Sequence, residues 1–311
     1  MDLVCFERLT ENKAIVDPTL LDKKVLENLL EEEETSQVTF CDIQNEITID
    51  MRKIVMIWMK EVTEEQKCQL EVFLLAVNYM NRFLNICQVR RNQLQLLGTA
   101  CLLIASKLRE STPLTAKLLI FYTDNSITLC ELLQFEQLIL SKLKWNIAIV
   151  TPLDFLQHLV LKISIVGTLR CTVAEVDERA KALISYCACE YVFWKIPPSL
   201  IAASCIASAL LAQVRRTSYN SRQLFNLFGE ICKLTHIEMD SLQIHQKYVD
   251  NMIERARRAM AGETTEQSDY AAANSDSRKN NEFTTPPLDD KSLLLEIETA
   301  TTPTDVHNID F

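Results

Sequence analysis

The chain has 311 residues, 48% of them apolar, which is enough to bury a substantial core and excludes disorder throughout. Its four glycines, Gly98, Gly167, Gly229 and Gly262, are too scattered for a G-x-G-x-x-G or G-x-x-x-x-G-K-[ST] phosphate loop, which argues against a self-contained nucleotide enzyme. The formal net charge of −10 and a pI of about 5.1 oppose a nucleic-acid partner, whose binding domains usually carry a basic face.

Asp17-Pro18 supplies an N-cap and an N1 proline for a first amphipathic helix with Leu21, Val25, Leu29 and Leu30, ending near the run Glu31 to Glu34. A second helix follows Asp50 and carries Ile54, Val55, Trp58, Met59 and Val62 on one stripe. Thr63 with Gln66 reads as a capping box opening a long helix striped by Leu70, Phe73, Val77, Met80 and Leu84. Leu94 to Leu108 is apolar or small nearly all round, with Gly98, Ala100, Cys101 and Ala105 admitting close neighbours, so it is predicted to be a central buried helix. Thr112-Pro113 starts a short helix, Thr128 starts another that runs to about Leu143, and Trp145 closes the unit.

The pattern then recurs. Thr151-Pro152, with a Thr151…Asp154 box, opens a helix carrying Phe155, Leu156 and Leu159. A long helix is predicted over Val173 to Phe193, and Pro197-Pro198 launches a second small-residue apolar segment, Ser199 to Val214. A shorter helix lies near Leu224 to Phe228, and Thr235…Glu238 caps a last one with Met239, Leu242, Val249, Met252 and Ile253. Matching Ala100-Cys101-Leu102 to Ser204-Cys205-Ile206 gives an offset of about 100 residues, the size of one small helical domain, so two helical repeats are expected.

From Ala261 onward eleven acids face Arg278, Lys279 and Lys291, which puts roughly −8 of the net charge in a segment too polar to offset its ordering entropy. A disordered acidic tail is expected over 261–311. The N-terminus has an early acid and no long apolar run, so neither a signal peptide nor a membrane span is predicted. Eleven cysteines without a secretory signal read as reduced, mostly buried thiols, and neither their spacing nor that of the four histidines suggests a zinc site or any other cofactor.

From about Met51 to Arg257 the residues resemble those of cyclins. The runs Met51-Arg52-Lys53-Ile54-Val55, Asn78-Tyr79 and Arg82-Phe83-Leu84 resemble the opening of a cyclin box. Leu94-Gln95-Leu96-Leu97-Gly98, Ala105-Ser106-Lys107, Tyr122-Thr123-Asp124-Asn125-Ser126, Lys142-Leu143-Lys144-Trp145-Asn146 and the terminal Thr302-Pro303-Thr304-Asp305-Val306 resemble the D-type branch. The resemblance implies an all-α chain of tandem cyclin boxes, two repeats of about five helices each. An extended segment would occupy 1–16, a helix and linker 17–49, the boxes 50–147 and 148–260, and the tail 261–311.

It also implies a non-enzymatic subunit that activates a G1 cyclin-dependent kinase of the four/six type in the nucleus and cytoplasm. The alternative is a cyclin-fold transcription-associated scaffold binding protein or nucleic acid without a kinase. The nearly neutral boxes and the missing C-x-x-C oppose it.

Glu136 sits among Leu129, Leu132, Leu133, Ile139, Leu140 and Leu143, at positions expected for a buried stripe, and a carboxylate there needs a partner. From the residues alone an internal bridge to Lys107 is as good a reading as an exposed contact; the resemblance turns both toward the kinase. Leu3, Cys5 and Glu7, at i, i+2 and i+4, share one side of an extended segment. By resemblance they form the docking motif for a retinoblastoma-family pocket protein. Met51, Ile54, Val55 and Trp58, spaced as a helical stripe, with Leu94 and Gln95, resemble the patch that recruits substrates and kinase inhibitors, although Lys53 and Val55 depart from the alanine and leucine of the strongest docking cyclins. Thr302, before Pro303, resembles the phosphorylated residue read by a ubiquitin ligase, and Thr285-Pro286 is a competing site.

Overall fold

Threonine oxygens fix where several helices begin. Thr48, Thr115 and Thr128 each accept a bond from the main-chain N–H three residues on, at 3.2 to 3.3 Å. Glu131 reaches back to the Thr128 N–H at 2.9 Å, completing a capping box. Asp154 does the same for Thr151 at 2.7 Å, where the sequence predicts it.

In the computed structural model, residues 22–36, 43–166, 173–214 and 221–260 are described, and they form eleven helices. These are α1 (Lys23–Ser36), α2 (Ile49–Glu65), α3 (Leu70–Ile86), α4 (Leu94–Arg109), α5 (Ala116–Tyr122), α6 (Leu129–Lys142), α7 (Pro152–Val166), α8 (Val173–Cys189), α9 (Pro198–Val214), α10 (Ser221–Thr235) and α11 (Met239–Met260). Short 3-10 turns, Arg91–Gln93 and Tyr191–Lys195, precede α4 and follow α8.

Helices α2 to α6 form one box and α7 to α11 a second, as the repeat predicts. Each is organised around a small-residue helix. In the first box α4 is packed by α2, α3, α5 and α6, and every residue from Leu96 to Ser106 is buried. A Cβ on Gly98 would lie 2.8 Å from Val55 Cγ1 and 3.2 Å from Met59 Sδ, so the missing side chain is what lets α2 approach α4. In the second box α9 takes the equivalent place against α7, α8 and α10, with Ala202, Ala203, Cys205, Ile206, Ala207, Ala209 and Leu210 fully buried. The boxes meet where α8 packs on α3 and α2, and α1, which precedes both, packs on α7 and α9.

Several predicted boundaries are corrected. Thr63 does not cap α3: it lies buried inside α2 with its hydroxyl on the Lys60 carbonyl at 2.8 Å, and the chain turns at Lys67, whose φ of 54° is left-handed. The stripe through Val62 continues into the core, and burial outweighs the local capping signal. The short helix starts behind Thr115 rather than at Thr112-Pro113, and α8 stops at Cys189 before the 3-10 turn. Helix α10 is longer than predicted, and Thr235 is its last residue, bonded back to the Ile231 carbonyl, so it does not cap α11.

Candidate functional site

Helices α4 and α6 pack side by side, which brings the last turn of α4 against the middle of α6. Lys107 Nζ lies 2.6 Å from Glu136 Oε1, with side chains 48% and 12% exposed. The pair is an internal bridge, and it is also open to solvent on its lysine side. A half-exposed ion pair contributes about 0–1 kcal/mol at most, so fold stability alone is a weak reason for its presence.

Its surroundings differ from the predicted stripe. Leu132, Ile139, Leu140 and Leu143 face the core, but Leu129 and Leu133 are exposed. They precede Glu136 by seven and three residues, so one side of α6 presents two leucines and then the carboxylate. Leu108, next to Lys107, and Phe121 at the end of α5 are exposed as well. Sequence reading missed these apolar residues as surface, because their leucine-rich setting looks the same as core.

The six residues of the second candidate patch also come together on α2 and α4, with unequal exposure. Ile54 is exposed, Met51, Val55 and Gln95 are half-buried, and Trp58 and Leu94 are buried. The opposite side of α2 is tied to the second box: Lys53 Nζ bonds Glu190 Oε1 at 2.7 Å, the Lys60 ammonium sits 4.0 Å from the Tyr186 ring centroid, and the buried Arg52 guanidinium lies 5.9 Å from the Trp194 ring centroid. The run Met51 to Val55 gave no sign that Arg52 turns inward.

A second polar link joins α1 to the second box. Glu33, buried, accepts from the Ser199 N–H at 2.6 Å and from its hydroxyl at 2.7 Å, capping the start of α9. Burial pushes its carboxyl above the usual carboxylate range although both Ser199 bonds pull the other way.

Burial pushes the Cys101 and Cys187 thiols up, and Cys189 to about 11, which suppresses the reactive thiolate. Among the described residues no group of three His, Cys, Asp or Glu side chains could hold a metal ion. Leu3, Cys5, Glu7, Thr285 and Thr302 lie outside the described residues.

Residues 24–148 match the family model described as the N-terminal domain of cyclin, and residues 150–261 match the cyclin C-terminal domain. A Xenopus laevis protein named G1/S-specific cyclin-D1 is 37% identical over 99% of this chain and 99% of its own length. Its human namesake is 36% identical over 99% and 98%. A mouse G1/S-specific cyclin-D2 is 38% identical over 81% of this chain and 88% of its own. Among solved structures, a viral cyclin from herpesvirus saimiri superposes with a TM-score of 0.60 at 26% identity, covering 73% of this chain and 97% of that one.

Proposed function

The chain belongs to the cyclin family and, within it, to the D-type branch, and from that premise we propose that its first box grips a cyclin-dependent kinase of the four/six type through Lys107 and Glu136. As a G1/S cyclin it is a regulatory subunit of a cyclin-dependent kinase and not itself an enzyme. In the proposed complex it pushes the kinase's mobile regulatory helix inward, so that the helix's glutamate meets the ATP-positioning lysine and the activation segment orders. The cyclin adds surface and charge to that rearrangement and no reacting group.

The observation that carries this reading is the Lys107–Glu136 pair, open on its lysine side, with exposed Leu108 next to the lysine and exposed Leu129 and Leu133 on the carboxylate's side of α6. The leucines give an apolar contact that is desolvated on docking. The pair supplies one half-exposed donor, Lys107, and one acceptor, Glu136, beneath it, which can exchange their mutual bond for main-chain groups of the partner. Lys107→Glu, Glu136→Lys and the swapped double variant separate this from a purely internal bridge. Losing a desolvated charged contact costs about 2–5 kcal/mol, so each single variant is expected to bind kinase more than tenfold more weakly with an unchanged circular dichroism spectrum. The double variant is expected to stay weak. Full recovery in the double variant would mean that the pair serves only the fold.

Direction of the kinase to retinoblastoma-family proteins is assigned to Leu3, Cys5 and Glu7, supported by their one-sided spacing. Deleting residues 1–8 is expected to abolish pocket-protein capture while leaving kinase activation on a generic peptide intact; equal loss of both would assign the segment to the fold. Recruitment of inhibitors and substrates is assigned to Ile54 with Met51, Val55, Trp58, Leu94 and Gln95, and turnover through a ubiquitin ligase to phosphorylated Thr302. A nuclear and cytoplasmic location completes the proposal.

A further inference from the structure

Four threonines in the chain precede a proline, Thr112, Thr151, Thr285 and Thr302, and two of them fall among the described residues. The structure treats those two oppositely. Thr151, just before α7, is 3% exposed and gives its hydroxyl to Asp154 Oδ2 at 2.9 Å. Thr112 is exposed, as are Ser111 before it and Pro113 after it, and its hydroxyl bonds none of the described residues. The cap that Thr112-Pro113 predicts is supplied instead by Thr115, whose Oγ1 accepts the Leu118 N–H at 3.2 Å, so Thr112 has no task in starting α5.

Residues 110–115 form a non-helical loop between α4 and α5, fastened on both sides of the exposed triplet. The Glu110 N–H bonds the Ser106 carbonyl at 2.9 Å, the Glu110 carboxylate accepts the Gln69 N–H at 2.7 Å, and the Leu114 N–H bonds Ser106 Oγ at 3.3 Å. Ser111, Thr112 and Pro113 therefore stand out from an anchored frame. Pro113 lacks an N–H and has a fixed φ, and it biases Thr112 toward an extended backbone. An enzyme that takes its substrate extended and offers no acceptor for the next N–H selects that dipeptide.

We propose that Thr112 is a phosphorylation site for a proline-directed serine/threonine kinase. The Thr112 hydroxyl oxygen attacks the γ-phosphorus of ATP, the bond from that phosphorus to the bridging oxygen breaks, ADP leaves, and the hydroxyl proton passes to the kinase's catalytic aspartate. The product carries roughly −1.5 to −2 charge and three acceptor oxygens. It stands just beyond the last turn of α4, which holds Lys107 and Arg109. Arg109 is paired with Glu71 at 2.8 Å, whereas Lys107 is half-exposed and separated from Thr112 by at most about 17 Å of extended chain. The phosphate therefore competes for the same ammonium that the proposed kinase contact uses, and the modified chain is expected to bind the cyclin-dependent kinase more weakly. That consequence rests on the Lys107 reading; the modification itself does not.

The full chain is incubated with magnesium ATP and, in parallel, a mitogen-activated kinase and a cyclin-dependent kinase activated by another cyclin, both shown to be active on a Thr-Pro reporter peptide. Mass spectrometry of proteolytic fragments then locates the phosphate. With at least one enzyme Thr112 is expected to carry about tenfold or more the phosphate found at Thr151, which is reached only when the fold opens. Thr112→Ala is expected to lose it and Thr112→Ser to keep it. No phosphate at Thr112 with either enzyme overturns the proposal, and so does an equal level at Thr151, which would mean that the enzymes act on unfolded chain. Kinase binding is then measured by isothermal titration in a Thr285→Ala, Thr302→Ala background, with and without phosphate at Thr112. Binding about threefold or more weaker at low salt is expected, with the gap closing as salt rises. Unchanged affinity overturns the regulatory consequence where Lys107→Glu weakens binding; where Lys107→Glu binds as wild type does, that consequence falls together with the kinase reading.

Discussion

The two boxes use the same five-helix plan and differ in how open they leave the donor of the polar link between their third and fifth helices. In the first, half-exposed Lys107 of α4 meets buried Glu136 of α6, beside exposed leucines. In the second, Ser208 of α9 gives its hydroxyl to Asp250 Oδ1 of α11 at 2.6 Å, and Gln246 gives Nε2 to Asp250 Oδ2, also at 2.6 Å. Ser208 and Gln246 are buried and Asp250 is half-buried, so neither donor of this network is open to solvent as Lys107 is. A repeated scaffold therefore separates two tasks. One copy leaves charge and apolar surface available to a partner, and the other uses its polar groups to hold its own helices together.

The sharpest way to break that contrast is to charge the apolar surface of each box. Leu129→Asp with Leu133→Asp is expected to weaken kinase binding roughly 10- to 100-fold, the effect of removing central apolar contacts, while the melting temperature barely moves because both positions are already exposed. Ile244→Asp on α11, at an equally exposed apolar position, is the matched control and is expected to leave affinity unchanged. Isothermal titration against purified kinase reads both, and equal losses in the two boxes would abolish the distinction.

The second comparison is stability. Asp250→Ala strands Ser208 and Gln246 as buried polar groups and is expected to cost about 1–3 kcal/mol, seen as a shifted urea midpoint with unchanged slope. Kinase affinity measured well below that midpoint is expected to stay at the wild-type value. A drop in affinity there would give the second box a binding role as well.

How much of this was legible follows from range. The Thr151…Asp154 box, the buried α4 and the recurrence at α9 were readable because caps and small-residue runs are local signals. The pairing of Lys107 with Glu136 was only half legible: a carboxylate in a leucine-rich helix needs a partner, but the residues left an internal bridge and an exposed contact equally good, and the resemblance favoured the contact. Which leucines of α6 faced outward was not: Leu129, Leu132, Leu133, Leu138, Ile139 and Leu140 occupy more than one side of a 14-residue helix, and periodicity does not say which side the core takes. Thr63…Gln66 shows the opposite failure, a correct capping pattern in a helix that burial carries past it. Least legible was Glu33. Within Glu31 to Glu34 it reads as a solvated helix end, yet it is buried on a residue 166 positions away.

That last contact gives the smallest effect and a pH dependence whose sign is specific. Burial raises the folded-state Glu33 carboxyl above its unfolded value, so between those two values the folded chain holds more protons than the unfolded one. Stability from this group is therefore fully present below the ordinary carboxylate value near 4.5 and is lost as pH rises through the raised folded value. Glu33→Gln keeps an acceptor for the Ser199 N–H and removes the charge, so its stability is expected to equal or exceed wild type at neutral pH, with the difference shrinking as pH falls. Glu33→Ala instead loses the cap on α9 and is expected to cost about 0.5–2 kcal/mol at every pH. Urea unfolding of the three proteins at several pH values between 4 and 8 is the measurement. A wild-type advantage over Glu33→Gln that grows with pH would show that the charge on Glu33 stabilises the α1–α9 contact, and that the first helix is held to the second box by electrostatics rather than by hydrogen bonding alone.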